Sequence, residues 1–228
     1  MTERTEPPAP EPYPVTYDVQ PHTANRNRVT VGFRVFLAIP QAILVGGPGI
    51  GFAFGWLSSI PFPDDWWWSF SAGGGALAGA AWACAFISWF AIVFTGRQPA
   101  GLWDFTRFFM RWWANVSAYS ALLRDDYPPF ASTAEYPVAF DVAGGQPETR
   151  DRWSVGLRLI YAIPHIVILF FVGIAWFVTA VIGWFAILFT GSYPAGLYRF
   201  AVGYLRWSAR VQAYMLLMRD EYPPFRLS

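Results

Sequence analysis

Trp184-Phe-Ala-Ile-Leu-Phe-Thr-Gly191 repeats Trp89-Phe-Ala-Ile-Val-Phe-Thr-Gly96 with a single substitution. The likeness extends in both directions. Downstream, Pro194-Ala-Gly-Leu197 matches Pro99-Ala-Gly-Leu102, and Arg219-Asp-Glu-Tyr-Pro-Pro-Phe225 matches Arg124-Asp-Asp-Tyr-Pro-Pro-Phe130. Upstream, Arg152-Trp-Ser-Val-Gly-Leu-Arg158 answers Arg28-Val-Thr-Val-Gly-Phe-Arg34, each followed by Ala-Ile-Pro ending at Pro164 or Pro40. Tyr136-Pro-Val-Ala-Phe-Asp-Val142 likewise answers Tyr13-Pro-Val-Thr-Tyr-Asp-Val19. Matched residues are 124 apart at the two prolines but 95 apart from Trp89 onward, so the first copy holds 29 extra residues between Val45 and Trp82. The chain is a tandem duplication: a polar tail over 1–12, a first unit over 13–130, a linker over 131–135 and a second unit over 136–228.

The solvent these units need follows from composition. Of 228 residues, 55% are apolar, 20% aromatic and 14% charged, where a soluble domain carries about 25% charge. The deficit points to a surface that faces lipid and excludes a disordered chain. A net charge of +1 gives no electrostatic reason to expect nucleic acid. All sixteen basic residues are Arg. Cys84 is the only cysteine, which excludes a disulfide or a cysteine metal site within one chain. The Pro- and Glu-rich first twelve residues read as a flexible tail rather than a signal peptide, since no apolar run lies within the first 28 residues.

Trp153 to Gly191 contains no acidic residue and is interrupted only by Arg158 and His165. That is more helix than one bilayer core of ~30 Å requires at ~1.5 Å per residue. The reading is a hairpin of helices over 153–171 and 174–190, turning near Gly173, that either spans steeply or penetrates as a wedge. In the first unit the arms fall at 29–60 and 69–95. Pro61-Phe-Pro-Asp-Asp-Trp-Trp-Trp68 forms the loop at the far face, with prolines to stop a helix and Trp for the headgroup layer. Gly47, Gly51 and Gly55 on one arm, and Ser71, Gly75, Gly79 and Ala83 on the other, are spaced for close helix packing in lipid.

Pro99 and Pro194 each open a further helix. Over 99–125, Asp104, Arg107, Arg111 and Asn115 share one face; over 194–220, Arg199, Arg206 and Arg210 do so. These read as amphipathic helices in the interface, Arg heads toward phosphates and aromatic bodies among acyl chains. With hairpins drawn as above, fourteen Arg flank them on one side and Arg34 and Arg158 snorkel to that side, while the other side holds only Asp64 and Asp65. The positive-inside rule then places both termini in the cytoplasm. The two Tyr-Pro-Val segments alternate polar and apolar residues and are candidate strands on the cytoplasmic surface near the Tyr-Pro-Pro-Phe ends.

No Gly-rich phosphate loop, paired metal-ligand histidines or nucleophile beside a base is present, so neither a catalytic residue nor a metal or cofactor site is assigned. His165 follows Pro164 and aligns with Gln41 after Pro40, the one repeated polar position at depth. It either satisfies carbonyls loosened by the proline or lines a substrate, ion or proton path. Asp125-Asp126 and Asp220-Glu221 read as turn carboxylates paired with Arg124 and Arg219 or solvated. Arg28, Arg34, Arg107, Arg111, Arg152, Arg158, Arg206 and Arg210 are candidate anchors for anionic headgroups or for topology alone.

The Tyr-Pro-Val-x-x-Asp-Val opening, the Arg-x-x-x-Gly-x-Arg start, the Phe-Thr-Gly-x-x-Pro-Ala-Gly-Leu junction and the Arg-Asp-Asp/Glu-Tyr-Pro-Pro-Phe close resemble domain of unknown function 4389. The resemblance covers nearly all of the chain after residue 12. It implies a bacterial, frequently actinobacterial, membrane protein whose unit is often duplicated, and it carries no activity; the expected location is the inner (plasma) membrane, crossed several times. The expectation is an all-α, polytopic transmembrane protein: two tandem units of helical hairpin plus interfacial amphipathic helix, with a few short cytoplasmic strands. It is expected to be no enzyme but a membrane-embedded organising module binding anionic lipid, partner subunits or further copies of itself; the alternative is a small transporter or channel with a pathway near Gln41 and His165.

Overall fold

The computed structural model describes residues 13–47, 75–130 and 135–228. The tail, the Pro61–Trp68 loop and Gly51, Gly55 and Ser71 of the small-residue ladder therefore lie outside the described residues. Strand β1 (Val15–Val19) is followed by α1 (Arg28–Gly32), α2 (Arg34–Val45), α3 (Gly75–Thr95) and α4 (Ala100–Ser120). The second unit repeats the order with β2 (Val138–Val142), α5 (Arg152–Gly156), α6 (Arg158–Thr190) and α7 (Ala195–Met215). The chain is mostly helical, and both candidate strands form.

Local chemistry sets the boundaries. Asn27 caps α1, its side chain accepting from the Val29 and Thr30 amides, and its counterpart Asp151 caps α5 from the Trp153 amide. Pro99 and Pro194 precede α4 and α7 as N-caps, where a missing N–H is harmless. Gly191 ends α6 in the left-handed region, at φ 72°, a conformation that glycine adopts without a Cβ penalty.

The expected hairpin of the second unit is not there. Residues 158–190 form one continuous helix with Pro164 inside it, about 50 Å long at ~1.5 Å per residue. Nothing near Gly173 is polar enough to favour a turn over further intrahelical hydrogen bonds. In the first unit the same helix is cut in two. A Cβ placed on Gly75 would collide with the Gly46 nitrogen, so the chain returns almost to the point where it left α2. The extra 29 residues interrupt a single α2/α3 rod rather than lengthen a hairpin. Among the described residues, nothing lies within 4 Å of a Cβ placed on Gly47 or Gly79, and their expected partners Gly51, Gly55 and Ser71 lie outside the described residues.

The two units are interlocked by a pseudo-two-fold relation. β1 pairs antiparallel with β2, with Tyr17 opposite Phe140, its own counterpart in the second unit. β1 packs on α7 of the other unit, β2 on α4 of the other unit. α1 rests against α6, where the Trp184 indole donates to the Val31 carbonyl at 2.9 Å, and α5 rests against α3, where Trp89 donates to Val155 at 3.0 Å. The result is three layers: the β ribbon, then α4 and α7, then α2/α3 and α6.

The middle layer overturns one expectation. α4 and α7 do not lie open in an interface but are the most enclosed elements, with buried residues on nearly every turn. Arg107 and Arg111 of α4 and Arg206 of α7 turn toward the ribbon. α3 and α6 are long and apolar enough to cross a membrane, and only 28% and 22% of their most apolar stretches are covered by the rest of the molecule.

Candidate functional site: arginine clusters, polar clasps and an apolar face

Each unit builds the same ionic knot around the carboxylate that follows its amphipathic helix. Asp125 accepts from the Arg26 guanidinium at 2.6 and 2.9 Å, from Arg34 at 2.7 Å and from the Asn27 amide at 2.9 Å. His22 stands 3.5 Å away. Arg34 also donates to the Tyr119 carbonyl at 2.8 Å and to the Arg124 carbonyl, and lies 4.1 Å from the Tyr119 ring centroid. In the second unit Asp220 takes Arg150 at 2.7 Å and Arg158, which donates to the Tyr214 carbonyl and stacks on that ring at 4.4 Å. Burial alone would raise the Asp125 carboxyl, but the hydrogen bonds from Arg26, the Asn27 amide and Arg34 hold it well below the usual carboxylate range. Asp220 is lowered in the same way, against its burial, by Arg150 and Arg158.

Arg34 and Arg158 therefore do not snorkel to phosphates. Both side chains are buried and spent inside the protein. Of the Asp125-Asp126 pair expected to meet Arg124, Asp126 does so at 2.7 Å, while Asp125 is held by Arg26 and Arg34. The partners that sequence reasoning missed are Arg26 and Arg150, whose side chains are fully enclosed. Each also donates to a carbonyl in a left-handed turn, Leu122 at φ 63° and Leu217 at φ 61°. Their 124-residue spacing, shared with Pro40 and Pro164, was a signal that could have found them.

Gln41 and His165 are likewise brought to equivalent places. The Trp112 indole donates to Gln41 Oε1 at 2.8 Å, and Gln41 Nε2 donates to the Pro128 carbonyl at 2.9 Å. The Trp207 indole donates to His165 Nδ1 at 3.2 Å, and the ring stacks on Phe225 with centroids 3.9 Å apart. Both residues are fully buried. They clasp the Tyr-Pro-Pro-Phe tails onto the apolar helices, and the carbonyl that Gln41 meets is that of Pro128 in the tail rather than one loosened by Pro40.

Other predicted anchors divide by place. Arg107 and Arg111 reach Asp141 of the ribbon at 3.3 Å, and Arg206 holds the Tyr17 carbonyl at 3.0 Å and Asp18 at 3.2 Å. Arg210 donates to the carbonyls of Arg226 and Ser228. Arg28 and Arg152 are exposed at the ends of the apolar layer. Their guanidinium groups cover Gly191 and Gly96, where a Cβ would approach to 3.2 Å. Arg97, also exposed, stands one residue beyond the Gly96 that Arg152 covers. No cluster of three or more metal-ligating side chains occurs among the described residues.

The broad feature is a one-sided apolar surface. Of 31 large hydrophobic residues exposed among the described residues, 27 lie within 29–43, 86–94 and 153–189. The other four, Tyr127, Phe130, Tyr222 and Phe225, belong to the two tails, and none lies on a strand, α4 or α7. The opposite face presents Thr16, Asp18, Ala139 and Asp141. A soluble monomer rarely exposes contiguous apolar patches beyond a few hundred Å².

The model of the family described as domain of unknown function (DUF4389) matches residues 74–132 and again 152–226. The first match begins where the interrupted rod resumes. No curated protein and no solved structure matches the chain.

Proposed function

We propose, for a chain that belongs to the DUF4389 family and carries its unit twice, a non-enzymatic role as a membrane-embedded organising module that binds anionic lipid or partner subunits in the inner membrane of a bacterial cell. The observation that carries this reading is the placement of 27 of 31 exposed large hydrophobic residues on one layer. Burial of apolar surface is worth about 25 cal/mol per Å², so hydrocarbon is the solvent that such a layer favours. Arg28, Arg97 and Arg152 at the ends of that layer supply charge for phosphate.

Purified full-length protein mixed with liposomes tests the reading. The expected result is co-flotation with vesicles, tighter on anionic than on neutral lipid, with the difference reduced by Arg28→Gln and Arg152→Gln together. Recovery of the protein in a detergent-free soluble fraction, with no flotation on either lipid, refutes it.

A further inference from the structure

We infer that the apolar layer lies flat in one leaflet of the bilayer, with α6 and the α2/α3 rod parallel to the membrane plane and neither crossing it. The inference rests on the membrane reading above and deepens it by naming the surface: a single phospholipid leaflet, met side-on.

The argument begins with where the polar groups sit along the helices. The ribbon crosses the middle of the molecule. Asp141 meets Arg107 and Arg111 near the centre of α4, and Asp18 meets Arg206 near the centre of α7. Tyr204, two residues before Arg206, stacks on Trp176 with centroids 5.1 Å apart and approaches Gly173, at the midpoint of α6. Were α6 to stand across a bilayer, the ribbon's outer face and this group of five charged side chains would lie at mid-depth against acyl chains. Charged groups and open strand edges are excluded from that depth. Laid flat, the same molecule puts the ribbon in water, the charged stripe beneath it and the exposed apolar layer in oil.

Length agrees. Exposed apolar residues run along α6 from Leu159 to Phe189, about 45 Å of rise. Fitting that length across a ~30 Å core needs a tilt of roughly 48°, beyond the usual range of up to about 40°. The ends also agree. Start and finish of both rods meet in pairs, Arg26 N donating to the Gly191 carbonyl at 2.9 Å and Arg150 N to the Gly96 carbonyl at 3.2 Å. Each pair carries an exposed Arg, Arg28 or Arg152, and Trp153 is exposed beside the second. A flat placement gives both ends the same headgroup level, which suits Arg and Trp alike.

The test uses nitroxide labels on full-length protein in liposomes, in a Cys84→Ala background. Ile160, Val167, Ile174 and Val181 are all exposed and recur every seven residues along one face of α6. Single cysteine substitutions there, read by oxygen against water-soluble nickel accessibility, report depth. The expected result is four equal depths within the acyl region. A profile shallow at the outer positions and deepest at the centre overturns the flat placement while leaving the membrane reading intact. Low accessibility to both reagents, with dipolar broadening between chains, means that a second copy covers the face and also overturns it. Accessibility to nickel alone at all four positions overturns both readings. Independently, Ala24→Cys and Glu148→Cys, at opposite ends of α6, should react with an impermeant maleimide from the same side of sealed spheroplasts; reaction from opposite sides refutes the inference.

Discussion

Replacing Asp125 by Asn isolates the ionic knot of the first unit. The side chain keeps its shape but loses the charge that faces Arg26 and Arg34, whose side chains are 0% and 3% exposed. Breaking a buried ion pair by removing one partner costs about 3–5 kcal/mol, because the remaining charge stays desolvated. The substituted amide could still accept one hydrogen bond from a guanidinium, and the Asp125 side chain is 13% exposed, so the lower end, about 3 kcal/mol, is expected. For a chain of this size that corresponds to a fall in Tm of roughly 6–12 °C, at about 2–4 °C per kcal/mol. The assay is thermal unfolding in detergent micelles followed by near-ultraviolet circular dichroism. Asp220→Asn should behave alike, since Arg150 and Arg158 are enclosed to the same degree. The pH dependence has a fixed sign. Both carboxyls are lowered in the folded state, so their contribution is fully present above the unfolded value, near pH ~4, and is lost as pH falls below it through the folded value. Asp125→Asn should remove part of that acid destabilisation. A Tm shift under about 2 °C, less than 1 kcal/mol on the same scale, with acid sensitivity unchanged, would show that the knot contributes little and that the reasoning is wrong.

Three further outcomes follow from named contacts. Deleting residues 46–74 should fuse α2 and α3 into one rod like α6, because Gly46 and Gly75 already adjoin; Tm should hold within a few degrees, whereas loss of folding refutes the spliced-rod description. His165→Gln copies the sister unit and should shift stability by less than about 1 kcal/mol, while His165→Leu, which leaves the Trp207 N–H without its acceptor, should lose about 1–3 kcal/mol by the same unfolding measurement. Gly183→Ala should lose about 1–3 kcal/mol or more, since the new methyl would collide with the Tyr193 ring; an unchanged Tm would mean that the α6 to Tyr193 contact is loose.

Much of this architecture was legible in residue order, and its limits are physical. The duplication, the helix starts at Pro99 and Pro194 and the strands read correctly because each depends on short-range chemistry repeated at a fixed offset. The hairpin failed because the expectation took bilayer thickness as a ruler for the run 153–191, and a rod that is enclosed on one stripe by α7 has no need to match that thickness. The amphipathic helices were correctly periodic but wrongly placed. Periodicity says that Arg107 and Arg111 share a polar side of one helix and Arg206 lies on that of the other, yet it does not say whether phosphate or Asp141 and Asp18 meets them. Arg26 and Arg150 sit in irregular backbone before the caps, where no helical or strand period points and only the repeat offset marks them. Gln41 and His165 were found by alignment of the repeats, and only the tail's return onto Trp112 and Trp207 reveals their partners.

The exchange of strands between units has a consequence for biosynthesis. β1 leaves the ribosome before the other described elements, yet the helix that receives it ends at Met215. At about 5–20 residues per second, the nascent strand waits roughly 10–40 s for its seat. During that interval an unsatisfied edge and the newly made α3 coexist without their counterpart, so early release of the first half would leave a fragment primed to capture another of its kind.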